Sequence, residues 1–508
     1  MIDVAAKPEK LIPVPSPFEA VNKRNLIVIE FLTILILVTL TFWSVGPLIE
    51  EWGLFRAFNE NGLAYFQTFA PSIPMRPLHL VAYAFQWMIG WGHPVGVALG
   101  TASLMIIRYF VARWAVSPFI GGYKRWLLAV LAATLVFWPG AWMGRYGSAQ
   151  LSAILFFVSL GFSIRLYGEW SIKWVVGSAV SVALLLSIYQ GLTLCLFAIP
   201  VLAIFWKHES SSGVFINKAR FLSVTRISFA IGAGFLIYGL YWIIVSSKFG
   251  NSGYEGALAS DSARLLTVVG LTAHIKSAYI TAFGQETYLL PFLLALAFFM
   301  SWGALQNFET LGEKISGATL IFLFVTLLPI LSMIYVNVLH IRDLDRVLYP
   351  VSVGFVLVCI SLLARFREHG SFKSDLLNSS VVVVVVLTSS VVVAHGVRHY
   401  VQLQRSVISQ MWAALETHDA STVLVRDYTG TLGDVYTFLS TTLGDASTVL
   451  GRKLVADICT PAAVDRIHPV AQRFPITTTP RCEDLPVIPE TTLVLTARWL
   501  NGVLVVTP

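Results

Sequence analysis

Two adjacent carboxylates, Glu50 and Glu51, follow directly after the first long apolar run of the sequence. A pair of carboxylates beside a membrane surface could supply a general base and ligands for a divalent cation such as Mg²⁺ or Mn²⁺. Arg56 follows about a turn later and is a candidate for binding substrate. The alternative interpretation is that both acids are solvated at a helix start, where the helix dipole stabilises negative charge. The sequence leaves both interpretations open.

A second charged group lies late in the chain, within VNVLHIRDLDRVLYP at residues 336–350. Arg342 and Arg346 are four residues apart, so in a helix they share a face and could hold one phosphate through charge-assisted hydrogen bonds. The two aspartates of this stretch allow an alternative, in which each arginine pairs with a neighbouring acid. The other candidates here are His340, for a donor phosphate, and Tyr349, for a substrate.

Further polar residues lie between these two groups. Arg76 precedes a proline, which favours extended geometry at Arg76 and is suited to opening the helix that follows. Such an arginine could bind a phosphate or a carboxylate, although a structural salt bridge fits the pattern as well. The other candidates are His79, Tyr189 and Gln190 for substrate, Lys248 for the donor phosphate, and Arg145 with Tyr146, which are comparable to them.

The composition indicates that these residues belong to a membrane protein. Of 508 residues, 56% are hydrophobic and only 12% are charged, whereas about a quarter of an ordinary soluble domain is charged. The mean hydropathy is +0.74. A soluble globular fold and a disordered chain are therefore excluded, and the 15 tryptophans fit the aromatic belts of a bilayer.

Eleven apolar segments are long enough to be predicted as membrane spans. They lie near 26–46, 94–113, 126–142, 148–167, 173–189, 191–206, 227–246, 287–305, 317–336, 347–364 and 377–397. Segment 77–91 is short and rich in polar and aromatic residues. Placing it in the outer interface puts most basic loop residues on the cytoplasmic side, as the positive-inside rule requires. This topology also explains most of the net charge of +7, so nucleic acid is not an expected partner.

The predicted organisation is a cytoplasmic segment 1–25, a multi-span domain 26–397 with an outer loop 47–93, and an extracytoplasmic α/β domain 398–508. In the last domain, strands are predicted at 421–426, 447–457 and 491–498, separated by turn residues. The valine run 381–386 is predicted to belong to the last membrane helix. Cys459 and Cys482 could form a disulfide if this domain lies outside the cytoplasm, and the sequence leaves that pairing open.

The arrangement resembles the GT-C class of membrane glycosyltransferases, which take a sugar from a polyprenyl-phosphate carrier on the outer side of the membrane. The matching elements are IEEW after the first span, RPLHL opening an interfacial helix, the late RDLDRVLYP, and the C-terminal α/β domain. Within the class, EEWGLFRAF, RPL and SIYQG look most like the serotype-converting O-antigen glucosyltransferases. The likeness covers the whole membrane part.

The resemblance implies an all-α polytopic GT-C-like fold and an inverting glycosyl transfer to a glycan or lipid-linked acceptor. Glu50 or Glu51 matches the catalytic acidic position, and the other would bind a cation or the acceptor. Arg342 and Arg346 match the late basic position that holds the lipid phosphate. The chain has Glu-Glu where the class more commonly has an Asp-containing pair. The resemblance also implies the bacterial inner membrane, with the N-terminus cytoplasmic and the C-terminus extracytoplasmic.

Other functions are also compatible with many spans and outer arginines. A lipid-linked sugar flippase or an O-antigen polymerase is the main alternative, and a catalytically inactive scaffold is another. Transporters commonly have repeated halves with helices broken near the midplane, and the sequence has no such repeat. It also lacks P-loop, GxGxxG, HExxH, CxxC and GxSxG motifs, so nucleotide-driven transport, zinc hydrolysis and α/β-hydrolase chemistry are not indicated.

Overall fold

The computed structural model is mostly helical and ends in a small sheet. It describes residues 17–69, 73–136, 138–204, 206, 218–249, 344–363, 372–418, 420–432, 437–438, 441–464, 479–486 and 489–508. The helices are α1 Pro17–Ser44, α2 Glu50–Asn61, α3 Tyr65–Phe69, α4 Val81–Ile89, α5 Val95–Val116, α6 Gly122–Thr134, α7 Gly147–Gly168, α8 Ile172–Ile188, α9 Thr193–Ala203, α10 Lys218–Phe249, α11 Leu344–Leu363, α12 Phe372–Thr417 and α13 Thr442–Val449. The strands are β1 Thr422–Asp427, β2 Val455–Cys459, β3 Thr492–Leu500 and β4 Val503–Thr507.

Five described helices are long and apolar enough to cross a membrane, which supports the prediction of a membrane protein. These stretches are Arg24–Ser44, Val95–Val116, Gly144–Gly168, Arg220–Val245 and Leu376–Thr417. Three shorter apolar stretches lie at Ile172–Ile188, Gln190–Ala203 and Tyr349–Ser361. The expected count of about eleven spans is not confirmed. The expected spans 287–305 and 317–336 lie outside the described residues.

The segment expected to span at 126–142 is an α-helix only as far as Thr134. Leu135 adopts a left-handed conformation, and 3-10 turns follow at Pro139–Trp142 and Gly144–Tyr146. The buried Arg108 of α5 donates hydrogen bonds to the carbonyls of Ala132 and Ala133 at the end of α6. A cation at a helix C-terminus satisfies carbonyls that the helix leaves unpaired and opposes its dipole. Arg108 therefore stabilises the point where the helix stops.

The predicted interfacial segment 77–91 contains α4, which is nine residues long. At a rise of about 1.5 Å per residue this helix is far shorter than the hydrocarbon core is thick. Ahead of it, the backbone N–H of Leu78 donates to the carbonyl of Ser187 at 3.1 Å. This bond holds the start of the segment beside the end of α8.

The C-terminal sheet has strand order β2-β1-β3-β4, with β1 parallel to β2 and β3, and β3 antiparallel to β4. The strands predicted at 421–426 and 491–498 are present as β1 and β3. The strand prediction for 447–457 was wrong in its first part, because residues up to Val449 belong to α13 and β2 begins only at Val455. Strand β4 was not predicted.

Helix α12 joins the membrane part to the sheet as one continuous helix of 46 residues, and it includes the valine run 381–386 as predicted. Its C-terminal third supplies a row of apolar side chains to the core of the C-terminal domain. That row comprises Leu403, Val407, Ile408, Met411 and Leu415. The spacing of three to four residues places these side chains on one helix face, so the helix itself forms part of the domain core.

Candidate active site

The turn before α2 presents both glutamates at the start of that helix. Ile49 has a φ of 47° and a ψ of −115°, a positive-φ conformation that is unusual for a β-branched residue and costs about 1–3 kcal/mol. The side chain of Ile49 is buried, which holds the turn in place. Glu50 and Glu51 then occupy the first turn of α2. The two carboxylates lie in different environments, and this difference determines what each can do.

Glu51 is fully buried. Its Oε2 accepts a hydrogen bond from the backbone N–H of Leu48 at 2.8 Å, whereas its Oε1 has no hydrogen-bond partner among the described residues. Burial raises the pKa of Glu51 well above its ordinary value, and the N–H of Leu48 opposes this effect only in part. A Cβ atom at Gly144 would lie 2.4 Å from Oε1. The site therefore requires glycine at position 144.

Glu50 is partly exposed and forms an ion pair with a buried arginine. Nη2 of Arg145 lies 3.1 Å from Oε1 of Glu50, and the two side chains are 5% and 40% exposed. The Arg145 guanidinium also lies over the ring of Tyr146, with 5.0 Å between Cζ and the ring centroid. Tyr83 of α4 donates its hydroxyl hydrogen bond to the carbonyl of Arg145. The 3-10 turn at 144–146 therefore connects α2 to α4 and orients the arginine.

A second polar cluster contains three of the predicted residues. Nε of Arg76 donates to Oε1 of Gln190 at 2.7 Å, and Cζ of Arg76 lies 5.3 Å from the centroid of the Tyr189 ring. The amide nitrogen of Gln190 in turn donates to the carbonyl of Met75 and to the hydroxyl of Tyr238. The elements that meet here are the turn before α4, the end of α8 and the middle of α10.

Predicted residue His79 lies between the two clusters. Its ring centroid is 6.4 Å from that of Tyr189 and 5.8 Å from that of Tyr83. Tyr349 of α11 lies beyond Tyr189, at 6.1 Å between ring centroids, and donates to the carbonyl of Ala149 at 2.6 Å. Ring contacts thus connect Tyr349, Tyr189, His79 and Tyr83 in that order. The hydrogen bond from Tyr83 to the carbonyl of Arg145 then links this series to the Glu50–Arg145 pair.

Two predicted residues lie apart from this arrangement. Arg56 forms ion pairs with Glu60 at 2.8 Å and with Asp445 of α13 at 2.9 Å, so it connects α2 to the C-terminal domain. Lys248 is exposed in the last turn of α10. His340 and Arg342 lie outside the described residues, as does the side chain of Arg346. Their predicted contact with a donor phosphate stays a prediction.

The predicted divalent cation would need oxygen ligands at the carboxylate site. Mg²⁺ requires six oxygen ligands in near-octahedral geometry. Glu50 is engaged by Arg145, and the described residues include no group of three or more metal-ligating acids, histidines or cysteines. Mg²⁺ is usually held by one or two carboxylates together with water and phosphate oxygens, so Glu50 and Glu51 remain its expected ligands, and the proposed mechanism contains no step through the ion. The cation stays a prediction.

Sequence reasoning missed Tyr83, Gln86 and Gly144, and it named Arg145 as one of several comparable candidates without assigning it a role. A usable signal was present for Tyr83, which follows His79 by four residues and therefore shares its face of a short helix. Gln86 donates to the carbonyl of Gly144 at 3.1 Å from within an apolar helix. An amide in such a setting needs a buried partner.

A comparison with protein-family models and with curated proteins found no match for the chain.

Proposed function

We propose that the chain is an integral membrane glycosyltransferase that moves a sugar from a polyprenyl-phosphate carrier to a glycan or lipid-linked acceptor. The supporting observation is the pair of unlike carboxylates at the start of α2, one paired with Arg145 and exposed, the other buried. They follow directly after a helix that is long enough to span a membrane. Such a position suits chemistry at the membrane surface.

Glu50 is the proposed general base. A base must approach within hydrogen-bond distance of the proton that it removes, and Glu50 is 40% exposed whereas Glu51 is fully buried. The acceptor oxygen attacks the anomeric carbon of the sugar and its proton passes to the Glu50 carboxylate. The bond between the anomeric carbon and the phosphate oxygen breaks, and the bonding pair leaves with the phosphate. Attack from the opposite face inverts the anomeric configuration.

The other residues have supporting roles in this proposal. Glu51 holds the turn through the N–H of Leu48, and Arg145 orients the Glu50 carboxylate through the ion pair. Negative charge that develops on the departing phosphate requires nearby cations. We assign this role to Arg342 and Arg346, as expected from the sequence. Arg76, which lies over the ring of Tyr189, is a further candidate for the same role.

The proposed location is the bacterial inner membrane, with the chemistry on the outer face and the C-terminal domain outside the cytoplasm. The disulfide between Cys459 and Cys482 supports the placement of that domain, because disulfides persist in oxidising compartments. The five apolar helices support a membrane protein of either orientation. The distribution of Lys and Arg among the predicted loops favours a cytoplasmic N-terminus.

The test is transfer of radiolabelled sugar from a panel of polyprenyl-phosphate sugars to lipid-linked or membrane glycan acceptors. Purified wild type is compared with Glu50→Gln and with Glu60→Gln, an exposed acid on the same helix that serves as the matched control. We expect transfer by wild type and Glu60→Gln, and its loss in Glu50→Gln. Binding of a lipid-linked sugar without transfer to any acceptor would favour a flippase or a scaffold instead.

A further inference from the structure

A cavity of about 410 Å³ opens where α1, the α4–α5 turn, α12 and the C-terminal domain meet. Its lining includes apolar side chains, with Phe42 of α1, Val45 just after that helix and Val401 of α12. It also includes polar side chains, with Arg405 and Ser409 of α12 and His93 of the α4–α5 turn. The lining includes Trp52 but not Glu50, Glu51 or Arg145, so this cavity is separate from the carboxylate site.

The level of the cavity relative to a bilayer follows from its neighbours. The candidate span in α1 ends at Ser44, and Trp43 beside it is 41% exposed. The guanidinium of Arg398 lies over the Trp43 ring, with 4.4 Å between Cζ and the centroid. Tryptophan with an arginine partner is typical of the interface between hydrocarbon and headgroups. The apolar lining therefore begins at the edge of the hydrocarbon core.

Arg405 lies seven residues after Arg398, so the two share a face of α12 and are about 10 Å apart along its axis. The headgroup layer on each side of the hydrocarbon core is about 5–7 Å thick. The backbone of Arg405 therefore lies near the outer face of that layer, and an arginine side chain is long enough to reach back into it. Arg405 is exposed and makes no hydrogen bond or ion pair with any described residue. Its charge is thus available to a ligand in the cavity.

His93 adds a second donor. Its Nδ1 accepts a hydrogen bond from the backbone N–H of Val95 at 3.2 Å. In the neutral ring, this bond places the proton on Nε2, which is then a hydrogen-bond donor. An amphiphile with an anionic phosphate and an acyl chain matches this lining, because the phosphate pairs with Arg405 and the chain contacts Phe42 and Val401.

We propose that this cavity binds the headgroup of an anionic phospholipid of the surrounding membrane. The turn after α1 approaches α12 closely at the cavity, since a Cβ at Gly46 would lie 2.9 Å from Cγ1 of Val401 and both residues line it. A lipid bound here contacts α1, α12 and Trp52 of α2 at once. It would stabilise the junction between the membrane helices and the C-terminal domain. The proposal does not depend on glycosyl transfer.

The test is native mass spectrometry of the delipidated full-length chain in detergent, titrated with phosphatidylglycerol or phosphatidylcholine. The variants are Arg405→Gln, which removes the charge, and Ser409→Trp, which fills the cavity from its exposed rim. The matched control is Arg498→Gln, an arginine on β3 that lies over Tyr428 and does not line the cavity. Inorganic phosphate and a polyprenyl phosphate are titrated in parallel.

We expect wild type and Arg498→Gln to retain one phosphatidylglycerol in preference to phosphatidylcholine. Arg405→Gln should weaken that binding about tenfold, as expected for loss of a hydrogen bond to a charged group, and Ser409→Trp should weaken it as well. Equal binding of both lipids, unaffected by Arg405→Gln, would overturn the proposal. Inorganic phosphate binding as tightly as the lipid would indicate a soluble anion, and binding of polyprenyl phosphate alone would indicate a carrier site; either result would reject a phospholipid.

Discussion

Arg145 and Glu50 are 95 residues apart in sequence and form an ion pair with 3.1 Å between Nη2 and Oε1. The arginine is almost fully buried, whereas the glutamate is 40% exposed. The pair therefore has a fixed inner member and an accessible outer member. This asymmetry suits a carboxylate that must be held in a fixed position and still contact a substrate.

Replacing Glu50 by glutamine should lower the transfer rate by about 10²–10⁴-fold, the range typical of a lost general base. The side chain keeps its shape, so the protein should express, and its free energy of unfolding should fall by only about 1 kcal/mol through loss of the ion pair with Arg145. Turnover measured with a radiolabelled polyprenyl-phosphate sugar checks this expectation. Transfer at the wild-type rate would reject Glu50 as the base.

The coupling between Glu50 and Arg145 can be measured with a double-mutant cycle of Glu50→Gln and Arg145→Gln. Because Glu50 is partly solvated, we expect a coupling free energy of about 1 kcal/mol in thermal or denaturant unfolding. In activity, the double variant should be about as slow as Glu50→Gln alone, since Arg145 acts through Glu50. Additive losses of activity would show that Arg145 has an independent role.

Glu51 should make stability depend on pH in a defined direction. Its pKa in the folded chain is raised above the ordinary value of 4.5, so the folded state holds the proton more tightly than the unfolded state does. The free energy of unfolding should then be highest below pH 4.5 and fall as pH rises through the folded pKa. Glu51→Gln should remove this component and be relatively more stable at pH 8. Thermal unfolding of wild type, Glu51→Gln and Glu60→Gln at several pH values provides the measurement, and an identical pH dependence in all three would contradict it.

Gln190 is expected to position Arg76. Replacing Gln190 by leucine removes the acceptor of the Arg76 bond and both bonds donated by its amide. Stability should fall by about 1–3 kcal/mol because polar partners lose their hydrogen bonds. If Arg76 helps to bind the donor phosphate, KM for the donor should rise more than kcat falls. Gln190→Glu keeps an acceptor for Arg76 and should restore part of the donor affinity.

The disulfide should contribute to the stability of the C-terminal domain. Cys459 and Cys482 are 23 residues apart, and closing a loop of this length is typically worth about 2–4 kcal/mol. Cys459→Ser with Cys482→Ser should therefore make the segment after residue 417 more sensitive to protease. Limited proteolysis with and without reductant checks this, and the reduced wild type should behave like the double variant. Equal protease resistance in all samples would contradict the expectation.

The sequence alone determined the features that depend on composition and on local pattern. The apolar residues are so numerous and so long in their runs that only a membrane protein with long helices can bury them, and α1, α5, α7, α10 and α12 have that character. Short runs rich in β-forming residues, separated by turn residues, identified β1 and β3. The short helix after Arg76 followed from its proline and from the length of the segment. Each of these features depends on hydrophobicity, turn residues or backbone restriction within one short segment of the sequence.

Only the tertiary structure decided which polar residues meet. Glu50 and Glu51 are neighbours in sequence and have the same chemistry, yet the turn at Ile49 buries one and leaves the other exposed. Arg145 reaches Glu50 because α6 stops at Thr134 and the chain continues in 3-10 turns. Burial and ion pairing arise from contacts between segments that are distant in sequence, so a local sequence pattern cannot predict them. For the same reason, the sequence named Arg56 as a residue for binding substrate, whereas the fold pairs it with Asp445.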